Sequence, residues 1–221
     1  MSSAKLIYFN GRGRGEIVRL TLAATGIQFT EEFLTEPEQF NKLKSDGRLL
    51  FGQVPLLEID GRDIVQTNAI VRYLATKGNI WGNEHEKVQV DMLYEGSRDF
   101  ALAFLIIGFQ DESKALDAAK STTMPKYFAI FEEVLNKNGS GYLVGKQLTL
   151  ADVGLLEPVL IALDYFGEEA LKEFPSLKKF HSTMLFNERI SSYLKGPQRK
   201  PKNDAAYVET VKTVLQRPIT S

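Results

Sequence analysis

A phenol, two guanidinium groups and a carboxylate, from Tyr8, Arg12, Arg14 and Glu16, follow directly on the apolar run Leu6-Ile7-Tyr8-Phe9. A tyrosine hydroxyl can donate to a thiolate or oxyanion, an arginine brings permanent positive charge, and a helix start adds unpaired N–H groups at the positive end of its dipole. Together these groups stabilise an anion. They also suit a plainer arrangement, a buried strand tyrosine followed by a solvated basic turn. Gly11, Gly13 and Gly15, with Glu31 and Glu32 downstream, approach a dinucleotide fingerprint. The third glycine is misplaced for it, and the further βα repeats of a doubly wound sheet do not follow.

The elements that must position these groups are legible in the periodicities. Lys5 to Phe9 reads as a strand, and Ile17, Leu20, Thr21 and Ala24 form a helical stripe closed by Gly26. Gln28 to Phe33 is a second strand and Pro37 to Ser45 a short irregular helix. Pro55–Ile59 and Arg62–Val65 make a hairpin around the turn Asp60-Gly61. Thr67 is placed to cap a helix that turns Ile70, Tyr73 and Leu74 inward. This β-α-β-α-β-β-α order predicts an α/β thioredoxin-like domain over residues 1–82. From residue 83 to 221 only helical periods recur, as in Tyr127, Ile130, Phe131, Val134 and Leu135, so an all-α C-terminal domain is expected. Within it Thr149-Leu-Ala-Asp152 is a capping box, a folding signal rather than a chemical one.

Composition narrows the chemistry. Of 221 residues 43% are hydrophobic, enough for two modest cores. Lys+Arg 27 against Asp+Glu 28 gives a formal net charge of -1, so no global field draws the chain to nucleic acid or to an anionic membrane. With no cysteine there is no disulfide, no redox pair, no cysteine-bound zinc and no cysteine nucleophile. Any thiol that reacts here belongs to the ligand, and no metal is expected. Met1-Ser-Ser-Ala-Lys5 has no apolar leader, and the stretch from Phe100 to Phe109 falls short of the roughly 18 apolar residues of a membrane span. A cytoplasmic protein is expected, with the sequon Asn138-Gly139-Ser140 read as an unmodified turn.

Three polar clusters fall at element ends, where α/β sheets place ligands: Tyr8 with Arg14, Gln53-Val54-Pro55, and Gln66-Thr67. The segments Tyr8 to Arg14, Asp46 to Pro55, Glu58 to Gly61, Val65 to Thr67 and Thr149 to Asp152 resemble, in order and spacing, those of a cytosolic glutathione S-transferase, most nearly of the alpha class. The resemblance implies an enzyme using glutathione as co-substrate, with the Tyr8 hydroxyl activating its thiolate and Arg14 in support. Pro55 would be cis and Val54 would bind through its backbone. Gln66 and Thr67 would hold the γ-glutamyl carboxylate, and Lys44 and Gln53 would address the glycyl end. The second substrate, a small hydrophobic electrophile, would lie among Phe9, Gly11, Phe104, Leu105, Gly108 and Phe109.

The stripe Tyr207, Val208, Val211, Val214 and Leu215, behind a possible cap at Asp204, resembles the class's terminal lid helix, with Val208 and Val211 toward the substrate. A frayed or merely docked terminus is the other reading. Phe51 resembles the family's dimer key, so a homodimer is expected, with Asp99 and Lys126 reaching the neighbouring subunit's glutathione. Lys126 replaces a usual arginine and lacks its bidentate geometry, and Asn68 stands where the class often has arginine. Gly15 and Glu16 to Arg19 drift toward neighbouring classes. The leading expectation is detoxifying conjugation, with organic hydroperoxide reduction by the same thiolate. The alternatives are a non-catalytic binding or crystallin-like relative and a glutathione-dependent isomerase.

Overall fold

Leu6, Ile7 and Tyr8 are buried on both faces of the first strand, β1 (Ala4–Tyr8), which therefore lies inside the sheet. The structure is a computed structural model and describes residues 4–216. β1 pairs in parallel with β2 (Phe29–Phe33), Tyr8 opposite Phe33, and antiparallel with β3 (Leu56–Ile59), Ile7 opposite Leu56. β4 (Arg62–Val65) closes the hairpin with β3, and the order across the sheet is β2-β1-β3-β4. Asp60 and Gly61 both take positive φ, 52° and 70°, as a two-residue hairpin turn requires. Phe9 drops out of the expected strand because its carbonyl turns to accept Gly11 N–H at 2.9 Å.

The parallel β1–β2 connection is made by α1 (Glu16–Thr25), ended by Gly26 at φ 72°. Its flanks pack on α3 (Thr67–Lys77), α7 (Leu150–Phe166) and α9 (Glu188–Lys195), so eight of its residues are buried, among them Arg19. α2 (Pro37–Ser45) is regular rather than irregular: Gln39 Oε1 accepts the N–H of Glu36 at 2.9 Å, and Pro37 opens the first turn. α3 departs from expectation at its start. Gln66 holds the cap position at φ 70°, no side chain caps the helix, and Thr67 is its first residue. Tyr73 is half-buried and donates to Asp60 at 2.6 Å, whereas Ile70 and Leu74 point inward as expected.

Among the described residues everything after β4 is helix or loop: α4 (Lys87–Leu105), α5 (Glu112–Ala118), α6 (Met124–Asn138), then α7, α8 (Pro175–Phe186), α9 and α10 (Ala205–Leu215). α7 carries apolar residues around its whole circumference, with Asp152 and Glu157 as charged exceptions, and its first turns are correspondingly buried. Gly154 lets α4 approach it, since a Cβ there would meet Ser97 Oγ at 2.5 Å and the Tyr94 ring at 2.8 Å. On α6 the core face is Met124, Phe128, Phe131 and Leu135, and Ile130 faces out.

The Thr149–Asp152 box forms. Asp152 is fully buried and accepts from Thr149 N–H at 2.7 Å, Thr149 Oγ1 at 2.8 Å and Leu143 N–H at 2.7 Å. Burial pushes its carboxyl up to about 6, against the pull of these donors. Thr149→Ala removes only the reciprocal hydroxyl and is expected to cost about 1 kcal/mol, read from urea unfolding midpoints at unchanged slope. A loss below a few tenths would mean that Asp152 holds this helix start unaided.

Charge ties the sheet unit to the last helices. Arg19, fully buried on α1, donates to Glu31 at 2.6 Å, to the Gly11 carbonyl at 2.7 Å and to the Phe9 carbonyl at 3.3 Å. Glu16 accepts the Tyr193 hydroxyl at 2.8 Å and pairs with Arg199, and Lys200 pairs with Glu31 at 3.0 Å. A buried charge is tolerated only when compensated in this way. The network fixes the loop after Tyr8 and brings the chain past residue 200 alongside it.

Candidate active site

A cavity of about 680 Å³ opens where the ends of β1 and β3 and the start of α3 face α4 and α10. Its polar wall contains Tyr8, Arg14, Gln53, Val54, Gln66 and Thr67, together with Pro55. The Val54–Pro55 bond is cis, as the resemblance implies. Its apolar wall contains Phe9, Leu102, Leu105, Ile106, Phe109 and Val211. One wall suits a charged ligand and the other a hydrocarbon.

Tyr8 is almost fully buried, yet it lines the cavity, and its hydroxyl accepts Arg14 N–H at 2.9 Å. Burial pushes the phenol up, opposed by hydrogen bonds from Tyr207 and Arg14 and by the charge of Arg19. It therefore stays protonated and available as a donor. Gly15 makes room beneath the ring, since a Cβ there would meet it at 2.6 Å. Of the two arginines in the turn after β1, Arg14 is the one that lines the cavity. Arg12 is drawn away: its Nε donates to the Lys200 carbonyl at 2.9 Å and its guanidinium pairs with Asp164.

Gln66 donates its amide to Gln53 Oε1 at 3.1 Å, joining two of the three polar clusters. Its positive φ turns the chain into α3 so that Thr67 and Asn68 line the cavity at the helix N-terminus, an anion-binding end. Asn68 is held from behind, donating to Glu95 at 3.1 Å and accepting the Tyr94 hydroxyl at 3.0 Å.

The other residues expected here divide into two groups. Phe104 points into the helical core, 5.5 Å from the Phe100 ring centroid. Gly11 is buried beneath the Tyr207 ring, and Gly108 meets Val208 on α10 rather than the cavity. Phe104, Gly11, Gly108 and Val208 thus fall outside the lining, because the stripe Leu102, Leu105, Ile106 and Phe109, running from α4 into the turn after it, faces the cavity instead. That i, i+3, i+4, i+7 spacing was available in the sequence and marks the correct face. Lys44 stands outside the lining, its ammonium 5.7 Å from the Phe40 ring centroid. Asp99 and Lys126 are exposed on α4 and α6, away from this cavity, and Phe51 is 61% exposed.

Sequence reasoning missed Asn68 as a lining residue, and Leu102, Ile106 and Leu215. It also missed the hydroxyl of Tyr207. The residue was visible only as the one polar-tipped member of an aliphatic stripe.

α10 does lie over the cavity. Asp204 caps it, accepting Tyr207 N–H at 2.8 Å, and Asn203 holds Arg12 N–H at 2.9 Å. Among the described residues no helix is long and apolar enough to cross a membrane, and no group of three His, Cys, Asp or Glu side chains could hold a metal ion.

Comparison with known proteins agrees with this geometry. Residues 4–76 match the family model "Glutathione S-transferase, N-terminal domain", and residues 99–197 match "Glutathione S-transferase, C-terminal domain". The chain is 43% identical over 217 residues to mouse "Glutathione S-transferase A4", spanning 96% of this chain and 97% of that one. It is 43% identical over 219 residues to rat "Glutathione S-transferase alpha-4", with the same coverage. Among solved structures, a Nu-class enzyme of the same name from Haemonchus contortus superposes with a TM-score of 0.75 at 30% identity, covering 92% of this chain and 99% of that one. The chain therefore belongs to the glutathione S-transferase family, enzymes of glutathione transfer, and its curated relatives are of the alpha class.

Proposed function

We propose that the polar wall binds glutathione and that the Tyr8 hydroxyl donates to its sulfur, which then attacks a lipophilic electrophile seated on the apolar wall. The observation that carries this reading is a buried, protonated phenol opening onto a cavity with one cationic, amide-rich side and one hydrocarbon side. Arg14 and the α3 N-terminus draw the carboxylates of the tripeptide, with Gln53, Val54, Gln66 and Thr67 fixing it. Lys44, close to Gly52 on the cavity rim, takes the glycyl end from just outside the lining.

The magnitudes suffice. A free thiol titrates near 8.5, so only a few per cent is ionised at neutral pH, and lowering it by two units needs roughly 2.7 kcal/mol. A hydrogen bond to a charged group contributes about 1.5–3 kcal/mol, so Tyr8 supplies most of this, and Arg14 and the helix end the remainder. In the transfer itself the sulfur forms a bond to carbon, the leaving group departs with the electron pair, and the thiol proton passes to solvent. The same sulfur suits attack on the oxygen of an organic hydroperoxide.

Conjugation of glutathione to a chlorinated nitroaromatic is the direct test. Saturable product formation above the uncatalysed rate is expected; binding of glutathione without turnover would instead indicate a non-catalytic relative.

The working unit in this reading is a cytoplasmic homodimer, each chain divided near residues 82 and 83. That division falls between α3, which ends at Lys77, and α4, which starts at Lys87. Leu50 and Phe51 are 78% and 61% exposed, and Val88, Met92 and Ile130 are exposed on α4 and α6. Apolar groups of this size on a surface suit burial against a second copy. Asp99 lies on the same α4 face as Val88 and Met92, and Lys126 on the exposed side of α6, so in this reading both are free to reach a neighbouring subunit's glutathione. Phe51→Asp is expected to shift the protein to monomer at micromolar concentration, measured by light scattering. A dimer of unchanged stability would place the interface elsewhere.

A further inference from the structure

Two hydroxyl groups from opposite ends of the chain meet over Gly13. A Cβ on that glycine would lie 2.4 Å from Tyr207 Oη and 2.5 Å from Tyr8 Oη, so no larger residue could stand between them. Gly11 opens the way for the ring, since a Cβ there would sit 2.1 Å from its edge. The ring is held edge-on by Phe9 at 6.5 Å and Phe109 at 6.4 Å. Its backbone is fixed by the Asp204 cap, and the preceding strand of chain by Arg12, which bonds both Asn203 and Lys200. A side chain so constrained delivers its hydroxyl to one place.

We propose that Tyr207 is a positioning residue of the reaction: its O–H donates to the oxygen of Tyr8, and together with Arg14 N–H it directs Tyr8's own proton to the glutathione sulfur. A phenol oxygen has two lone pairs and one proton. Arg14 N–H takes one lone pair at 2.9 Å, and the Tyr207 hydroxyl, brought beside it over Gly13, is placed to take the other. The Tyr8 proton is then the single valence left for a ligand in the cavity that Tyr8 lines. An oxygen that accepts two hydrogen bonds is also a better donor, because the bonds polarise one another.

Burial pushes the Tyr207 phenol up, reinforced by its contact with Tyr8, so it stays protonated. The charged groups bearing on the pair are cations, Arg14 on the turn after β1 and Arg19 on α1, and both favour electron density on the Tyr8 oxygen.

This inference rests on the reading that Tyr8 activates the sulfur, and the test separates the two. The ultraviolet absorbance of the thiolate of bound glutathione is titrated in the native protein, Tyr8→Phe, Tyr207→Phe and the double variant. Tyr207→Phe keeps the ring and its packing. It is expected to leave glutathione affinity intact while lowering the thiolate fraction about three- to tenfold below the titration midpoint, the equivalent of one neutral hydrogen bond. The same loss should appear in kcat/KM for every electrophile, vanish at alkaline pH, and be absent when Tyr207→Phe is added to Tyr8→Phe. An unmoved midpoint in Tyr207→Phe with a raised midpoint in Tyr8→Phe overturns the Tyr207 role alone. Loss of rate on one electrophile with an unmoved midpoint also overturns it, assigning the hydroxyl to the second substrate. An unmoved midpoint in Tyr8→Phe overturns both.

Discussion

Tyr8→Phe is expected to lose about ten- to one hundred-fold in kcat/KM at neutral pH while binding glutathione as before, the loss of one hydrogen bond to a charged sulfur. The split follows from where the groups stand. In the proposed reading affinity is spread over Arg14, Gln53, Gln66, Thr67 and the backbone near Val54, and the substitution removes from this set only the acceptor of Arg14 N–H. The phenylalanine ring keeps the edge contact with Phe9 at 5.2 Å and the seat over Gly15, so the fold and the cavity shape are retained. The defect should be widest below the titration of the bound thiol and close as the pH passes about 8.5, where the sulfur ionises unaided. Initial rates across pH, with glutathione affinity from calorimetry, check both halves. Unchanged turnover would remove Tyr8 from the chemistry and leave the cavity a binding site.

Asp152→Ala is expected to destabilise the protein by about 3–5 kcal/mol, because two buried backbone N–H groups lose their acceptor at about 1–3 kcal/mol each and the capping bond goes with them. Asp152 serves Thr149 N–H at the start of α7 and Leu143 N–H in the loop before it, so one carboxylate joins the two segments. For a chain of this length the melting temperature should fall by about 10 °C or more. Circular dichroism at rising temperature reads it directly. A fall of only a degree or two would mean that the loop relaxes to let water reach both amides. Asp152 does not line the cavity, so glutathione affinity at low temperature should survive, which distinguishes a folding defect from a catalytic one.

What was legible in the chain is what short-range chemistry determines. α1 with its Gly26 stop, the Asp60-Gly61 hairpin, the Thr149–Asp152 box and the Asp204 cap each depend on partners a few residues apart, and β1 shows as a short apolar run. Local backbone geometry needs nothing else. Tyr8, Arg14, Gln53, Gln66 and Thr67 were found because they sit at the ends of such elements, and the sheet gathers element ends on one edge.

Tertiary structure decided phase and long-range approach. Helical period identifies a stripe, but a helix buried on several sides carries more than one apolar stripe, and only its neighbours select which faces the core. Hence Phe104 turned inward while Leu102 and Ile106 took the cavity wall, and Ile130 faced out where Phe128 faced in. Arg12 and Arg14 are indistinguishable in composition and spacing; Asp164 on α7 and the Lys200 carbonyl of the docked 199–204 segment engage Arg12, and Arg14 is left lining the cavity. Tyr207 is the extreme case. It meets Tyr8 only because α1, α7 and α9 fix where the chain crosses the loop after β1, a geometry set by packing and buried ion pairs that no local pattern encodes.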